Sequence, residues 1–316
     1  MTVLSAVARA DAAADAGVPL PPAPRRLRIG MPQLDASGLS EGWLLRHAGD
    51  LHWEAITRRL GVASDEIRGD GDQRLYPTVV ALSARYEPSL AAVRENDVFA
   101  SNVDVTPCGG ACAFGHVAAH AGGARVSLEL LTTFAYREPS GAMKMALPAA
   151  RLAARWAPMG VVPALAQLAR AARRDQALDD GFAGPSLTPA TPPLGRVARE
   201  PSPYADYNGA RLLYFAAYPT LADDAERELV RRLRLWDGRG LDWALATSPD
   251  RRDVFYYGNL PIGESLVAEL LSFEHEPARD GRTGAGVKTR VRLTRACDGQ
   301  PIADVITRRL FVDGAR

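Results

Sequence analysis

The feature that most constrains this chain is a stretch that occurs twice in outline. Met31 to Trp53, MPQLDASGLSEGWLLRHAGDLHW, opens with a Pro-containing turn, places Asp35 just ahead of Gly38, and runs into a Trp- and Leu-rich helical pattern. A shorter version, Asp206-Tyr207-Asn208-Gly209, leads into the apolar LLYFAAY. Strand-like runs follow each copy, then a Gly-containing hairpin signal, then a strand with late threonines: Thr132 and Thr133 in the first half, Thr307 in the second. The motif glycines lie 171 residues apart (209 − 38) and the hairpin glycines 176 apart (299 − 123). Similar offsets at both ends of the pattern predict an internal duplication, and two modules are the natural division of 316 residues.

Read in order, residues 1–29 are an Ala/Pro-rich leader expected to have little structure of its own. Residues 30–147 form the first module. Ser40 is placed to cap a helix whose apolar residues Trp43, Leu44, Ala48, Leu51 and Ala55 recur at helical spacing, and Gly61 to stop it. YPTVVALSARY, DVFASNVDVT, CAFGHVAAHA and ARVSLELLTTFAY read as successive strands, with Gly122-Gly123 as a hairpin turn. Residues 148–203 read as a linker, within which ALAQLARAARRDQAL is a candidate surface helix. Residues 204–316 restart the pattern, with a helix expected to bend or restart around Pro219 and four further strand-like runs. A long helix followed by antiparallel strands predicts an α+β module in which a sheet wraps one helix.

Composition narrows the function classes. Lys+Arg 38 against Asp+Glu 37 gives a net charge of +1, without the basic excess that a nucleic-acid partner demands. Three cysteines make no disulfide framework and suit a reducing compartment. Asp11 and Asp15 interrupt what would be the apolar region of a signal peptide, and no run of about 18 apolar residues occurs, so a soluble cytoplasmic protein is expected. The spacing Cys108-x3-Cys112-x3-His116-x3-His120 looks like a metal set, but on a strand neighbouring members would lie about 13 Å apart, too far for shared coordination, so no metal is expected.

The series MPQLD, GLSE, WLLRHAGDLHW, RLYPTV, DYNG, LLYFAAYP and VFYYGNLPIGESL resembles the double hot-dog acyltransferase/decarboxylases of the LnmK type, over roughly residues 30–138 and 204–311. Gly42 departs from the family motif, in which Asn often follows Ser-Glu. The resemblance implies a double hot-dog fold of two tandem modules. It also implies an enzyme that decarboxylates a methylmalonyl-type acyl-CoA and passes the acyl group to an acyl carrier protein of a polyketide synthase. Coenzyme A then arrives as part of the substrate and phosphopantetheine on the partner, with no cofactor of the protein's own. A hot-dog thioesterase or dehydratase is the rival enzyme; a pair of modules that only binds acyl chains or a carrier protein is the rival from another class, because one fold hosts several chemistries.

By the resemblance, Tyr76 is the acyl-accepting residue. A phenol near pKa 10 needs an activating neighbour, and Arg74 shares its face on a strand. Gly38 is expected at a helix start whose free N–H groups hold an enolate oxygen, with Leu39, Ser40 and Thr78 beside the substrate. Asp35 is a candidate acid or base. Asp206, Asn208 and Gly209 would repeat the substrate-binding turn, or act as scaffold, since Asp side chains also bond their own turns. His52 beside Trp53 is expected to be a packing histidine. Arg74, Arg85, Arg251, Arg252 and Arg290 are the candidate cations for a coenzyme A phosphate.

Overall fold

A computed structural model describes residues 24–138, 143–156, 160, 162–174, 192–236, 242–276 and 285–312. One antiparallel sheet runs through the whole molecule. Its strands are β1 (Arg25–Arg28), β4 (Tyr76–Glu87), β5 (Val98–Pro107), β6 (Cys112–Ala121), β7 (Ala124–Arg137), β8 (Met143–Met145), β9 (Gly195–Arg199), β10 (Thr247–Tyr256), β11 (Leu266–Glu276), β12 (Gly286–Arg295) and β13 (Pro301–Phe311). A separate two-residue hairpin is made by β2 (Leu34–Asp35) and β3 (Gly38–Leu39). The spatial order is β1-β5-β6-β7-β4-β10-β13-β12-β11-β9, with β8 added beside β7.

That order repeats in the two halves. Counting the strands of each half in sequence, both halves read first-third-fourth-fifth-second from the outer edge inward, and their second strands, β4 and β10, pair with each other at the centre. A long helix separates the first and second strands in both: α1 (Glu41–Leu60) and α3 (Ala217–Leu233). β10 starts at Thr247 and β4 at Tyr76, 171 residues apart (247 − 76), the offset of the motif glycines.

Local chemistry sets the elements. Ser40 accepts a hydrogen bond from Trp43 N at 3.4 Å and starts α1; Gly61, at φ 66°, ends it in the left-handed conformation that glycine tolerates best. Leu44, Leu45, Ala48, Leu51, Ile56 and Leu60 of α1 are buried against strands of the first half, and Ala222, Ala225 and Leu229 of α3 join the same core. Gly122 and Gly123, at φ 52° and 89°, turn β6 into β7 as the Gly-Gly pair predicts. α2 (Ala164–Arg173) lies on the opposite face of the sheet, where Leu165, Ala166, Ala169 and Ala172 cover Ala81, Leu131, Phe255 and Ile306.

Three expectations need correction. Arg25–Arg28, read as leader, pairs with Val98–Ser101, and Gly195–Arg199, read as linker, pairs with Leu266–Leu270. Both are Arg-bearing strands at the two edges of the sheet, where charge blunts further pairing and also hides the strand from a reading of apolar alternation. Pro219 does not bend its helix: it is the third residue of α3, in the first turn where a missing N–H costs nothing.

Candidate functional site

The segment before α1 is held from both ends. Gln33 Oε1 accepts from Gly30 N at 2.9 Å, and Asp35 Oδ1 accepts from Ser37 N at 2.8 Å and Ser37 Oγ at 2.7 Å, closing the β2–β3 turn. Gly38 sits at φ 130°, and a Cβ there would come within 2.5 Å of the Leu90 carbonyl oxygen and 2.6 Å of Ala91 Cα. The residue must be glycine because another backbone passes against it. It does not start the helix: Gly38 and Leu39 belong to a strand, Leu39 is buried, and Ser40 is the cap.

This turn forms one wall of a cleft of about 240 Å³ between the halves. The other walls come from the first half of α3, the one-turn helix Trp243–Ala246 and the head of β10. Asp35, Leu39 and Glu41 face Asp223, Asp224, Arg227, Trp243, Thr247 and Arg309 across it.

Behind the cleft runs a buried ionic ladder. Glu41, the first residue of α1, accepts from Arg252 Nε at 2.8 Å, from Arg252 Nη2 at 2.6 Å and from Tyr86 Oη at 2.7 Å. Arg252, fully inaccessible on β10, also donates to both oxygens of Asp223 at 3.0 and 2.8 Å and to Thr307 Oγ1 at 2.7 Å. Asp223 accepts a further bond from Arg309 Nη2 at 2.5 Å. Arg309 Nε and Trp243 Nε1 each donate to Glu226 Oε1 at 2.8 Å, and Thr289 Oγ1 donates to Glu226 Oε2 at 2.5 Å. Asp223 and Glu226 can share this work because residues three apart lie on one face of a helix.

The electrostatics separate two neighbouring carboxylates. Burial would raise Asp223, but Arg252 and Arg309 outweigh it and hold the group below the usual carboxylate range. Asp224, beside the cleft, is pushed up by burial and then by the charge of Asp223, against the pull of Arg199 and Arg227. The two neighbouring carboxylates are thus shifted in opposite directions, and Asp224 is the exposed one of the two. Arg227 is engaged across the rim, its Nε and Nη2 donating to Asp242 at 2.7 and 2.5 Å.

The remaining residues named from sequence are not brought together. Asp35, Gly38, Leu39 and Ser40 lie at the Glu87 end of β4, beside Leu90. Tyr76 and Thr78 lie at the other end of that twelve-residue strand, with roughly 35 Å of extended chain between. Arg74 does meet Tyr76 as expected, its guanidinium 5.0 Å from the ring centroid. Asp206, Asn208 and Gly209 lie near the Tyr76 end, where Arg137 Nη1 donates to the Ala210 carbonyl at 3.2 Å.

They are not at a helix start either. α3 begins at Ala217, because the intervening backbone is committed elsewhere. Asn208 Oδ1 accepts from Ala210 N and Leu212 N at 3.0 and 3.1 Å, and Asn259 both donates to and accepts from Leu213. Asp206 Oδ2 accepts from Ser202 N at 2.7 Å, a turn-forming role.

Two of the five candidate phosphate-binding arginines are buried: Arg252 as described, and Arg290, whose Nη2 donates to Asp304 at 2.6 Å. His52 is a packing residue, its Nε2 3.0 Å from Thr132 Oγ1. Cys112, His116 and His120 share strand β6 at four-residue spacing, about 13 Å from one to the next. Sequence reasoning missed Asp223, Asp224, Glu226, Trp243 and Arg309. The signal for two of them was present in ADDAEREL, where Asp223 and Glu226, three apart, fall on the inward face of an amphipathic helix and so require partners.

No family model matches the sequence, and no curated protein matches it. Solved structures do match. A protein of Lactobacillus plantarum described as an oleoyl thioesterase aligns over 92% of this chain and 96% of its own, at TM-score 0.62 and 13% identity. The 12:0-ACP thioesterase of Umbellularia californica covers 92% and 94%, at 0.59 and 10%. An acyl-ACP thioesterase of Bacteroides thetaiotaomicron covers 90% and 96%, at 0.52 and 12%. At these identities the likeness establishes architecture: an antiparallel sheet wrapped on long helices, the hot-dog fold.

Proposed function

We propose that this chain hydrolyses acyl thioesters, carried by coenzyme A or by the phosphopantetheine of a carrier protein, in the cleft between the Asp35–Glu41 segment and α3. The observation that carries the reading is the Asp223/Asp224 pair, two adjacent carboxylates with opposed shifts facing the start of α1. The matched strand orders support reading the chain as a double hot dog, with Arg25–Arg28 and Gly195–Arg199 as the first strands of the two modules.

In this mechanism the thioester carbonyl lies against the first peptide N–H groups of α1, which no intrahelical bond can satisfy and which carry the positive end of the helix dipole. Leu39, Leu90 and Trp243 receive the acyl chain. Asp224 takes a proton from water, the hydroxide adds to the carbonyl carbon, and the charge on oxygen is held by the helix start. Collapse breaks the C–S bond, and the proton passes from Asp224 to the departing thiolate. Asp223, held as an anion by Arg252 and Arg309, raises Asp224 through its charge.

Thiol release and intact protein mass, followed with acyl-CoA alone and with a holo-carrier protein present, test the proposal. Asp224→Asn lowers turnover by about 100-fold or more, the scale of a lost general base, with little change in stability. Undiminished free-acid release by that variant would falsify the assignment. Conversion of methylmalonyl-CoA to a propionyl-loaded polyketide carrier protein with loss of CO₂ instead restores the acyltransferase/decarboxylase reading. Binding without turnover marks an acyl or carrier-protein binding module.

A further inference from the structure

The two cysteines at the tip of the β5–β6 hairpin stand apart from the cleft chemistry. β5 and β6 pair in register down to Pro107 opposite Ala113, so Cys108 and Cys112 are the next rung. Cys108 N donates to the Cys112 carbonyl at 3.1 Å, and Cys112 N to the Gly109 carbonyl at 3.3 Å, which closes the turn over Gly109-Gly110-Ala111. Directly opposed residues of an antiparallel pair have Cα atoms about 4.5–5.5 Å apart and side chains on one face. A disulfide needs Cα atoms about 4.4–6.8 Å apart. A rung at this position puts the two Cα atoms within the span that a disulfide bridges.

Their surroundings favour reaction. Both side chains are half-buried, on the sheet face that α2 covers. Thr133 pairs with Cys112 on the next strand, and Arg170 of α2 is the charged group that acts on both sulfurs. The neighbouring Cys108 thiol, then Thr133 and Arg170, lower Cys112 to about 6 against the cost of burial. Cys108 is correspondingly raised. Cys297 provides an internal contrast: it is exposed, and local desolvation together with the Glu264 carboxylate pushes its thiol up.

We propose that Cys108 and Cys112 form a dithiol site for exchange with low-molecular-weight disulfides, closing to a disulfide across the tip of the β5–β6 hairpin. The Cys112 thiolate attacks one sulfur of the small disulfide, forming a mixed disulfide and releasing one thiolate. Cys108 then loses its proton to that thiolate and attacks the Cys112 sulfur. The protein S–S bond forms and the second small thiolate leaves, taking a proton from solvent. Two electrons pass from the dithiol to the small disulfide, which departs as two thiols.

Glutathione disulfide on the full chain tests this, read by intact mass and peptide mapping. The wild type ends with Cys108 joined to Cys112 and no adduct on either. Cys108→Ser stops at a glutathione adduct on Cys112, which identifies the attacking residue. The rate at Cys112 relative to an unshifted thiol should rise from about twofold at pH 7 to about twentyfold at pH 5, because a low-pKa thiolate persists in acid while being intrinsically less nucleophilic; against Cys297, whose thiol is raised, the advantage is larger. A wild type that keeps a stable adduct at Cys112, or a Cys297 that reacts at least as fast at pH 5, overturns the proposal.

Discussion

The two halves share a topology but fasten helix to sheet by opposite means. Beneath α1 the inward polar links are neutral, His52 to Thr132 at 3.0 Å and His47 to Ser101 at 2.9 Å, and its ion pairs to β1, Arg25 with Asp50 and Glu54, lie at the exposed rim. Beneath α3 they are ionic, with Asp223 and Glu226 on the helix meeting Arg252 and Arg309 on the sheet. Topology thus needs only apolar faces and registers that fit; the polar layer between helix and sheet is free to diverge. The paired carboxylates belong to the ionic half and face a cleft between the halves, and Glu41 carries their ladder across to α1.

The largest expected effect comes from opening the ladder at its centre. Arg252→Ala removes the cationic partner of Glu41, leaving it the Tyr86 hydroxyl alone, and one of the two cationic partners of Asp223, so that buried acid loses compensating charge. The cost is about 3–5 kcal/mol, the scale of a broken buried pair, measurable as a shift in the denaturant midpoint. Loss below about 1 kcal/mol would mean that the ionic half does not depend on its charges. The neutral half then has no less claim to hold the molecule together.

The neutral half should break first in acid. Burial lowers His52 from 6.5 to about 4, so the folded protein holds it neutral while an unfolded chain protonates it near 6.5. Across that window the unfolded state binds more protons, so stability falls as pH falls from 6.5 towards 4, by about 3 kcal/mol in total. His47, also lowered by burial and then by Arg25, acts in the same direction. Unfolding measured at pH 7 and pH 4.5 in wild type and His52→Gln separates this contribution, and an unchanged acid limb in the variant would sink it. His52 also fits a notch: a Cβ on Gly115 would lie 2.1 Å from His52 Nδ1, so Gly115→Ala should unseat the same contact.

How much of this was legible in the sequence depended on what each residue answers to. Ser40, Gly61, Gly122-Gly123 and the alternation of CAFGHVAAHA act within a few residues of themselves, and they placed α1, its stop and β6 correctly. The edge strands RRLR and GRVAR were hidden because their pattern answers to a neighbour far along the chain. The site was half legible for the same reason. Asp35 and Leu39 do line the cleft, but its other walls come from residues near 223, 243 and 309, and no spacing links them to Asp35. Arg252 could be seen as a cation; only the fold shows that its charge is spent on Glu41 and Asp223.

A smaller effect sharpens the comparison at the cleft. Asp224 is raised partly by the charge of Asp223, so Asp223→Asn should bring it down. If Asp224 is the base, activity rises with pH as it ionises. The acid limb of the pH–rate profile in the variant therefore moves to lower pH, whatever happens to the plateau. A limb that stays in place would show that the titrating group is not Asp224.

The smallest expected effect is at Tyr76, the residue that the sequence resemblance singles out. Tyr76→Phe keeps the ring that Arg74 covers and removes one hydroxyl at a half-buried strand start. Its stability should stay within about 0.5 kcal/mol of wild type. Because Tyr76 lies at the opposite end of β4 from the cleft, thioester turnover should also be unchanged. Loss of turnover without loss of stability would move the chemistry to the Tyr76 end, where the Asp206–Gly209 turn also lies, and would leave the charged cleft with a structural role alone. Equal activity in the variant leaves the ionic half as the working half, with Tyr76 a packed strand residue.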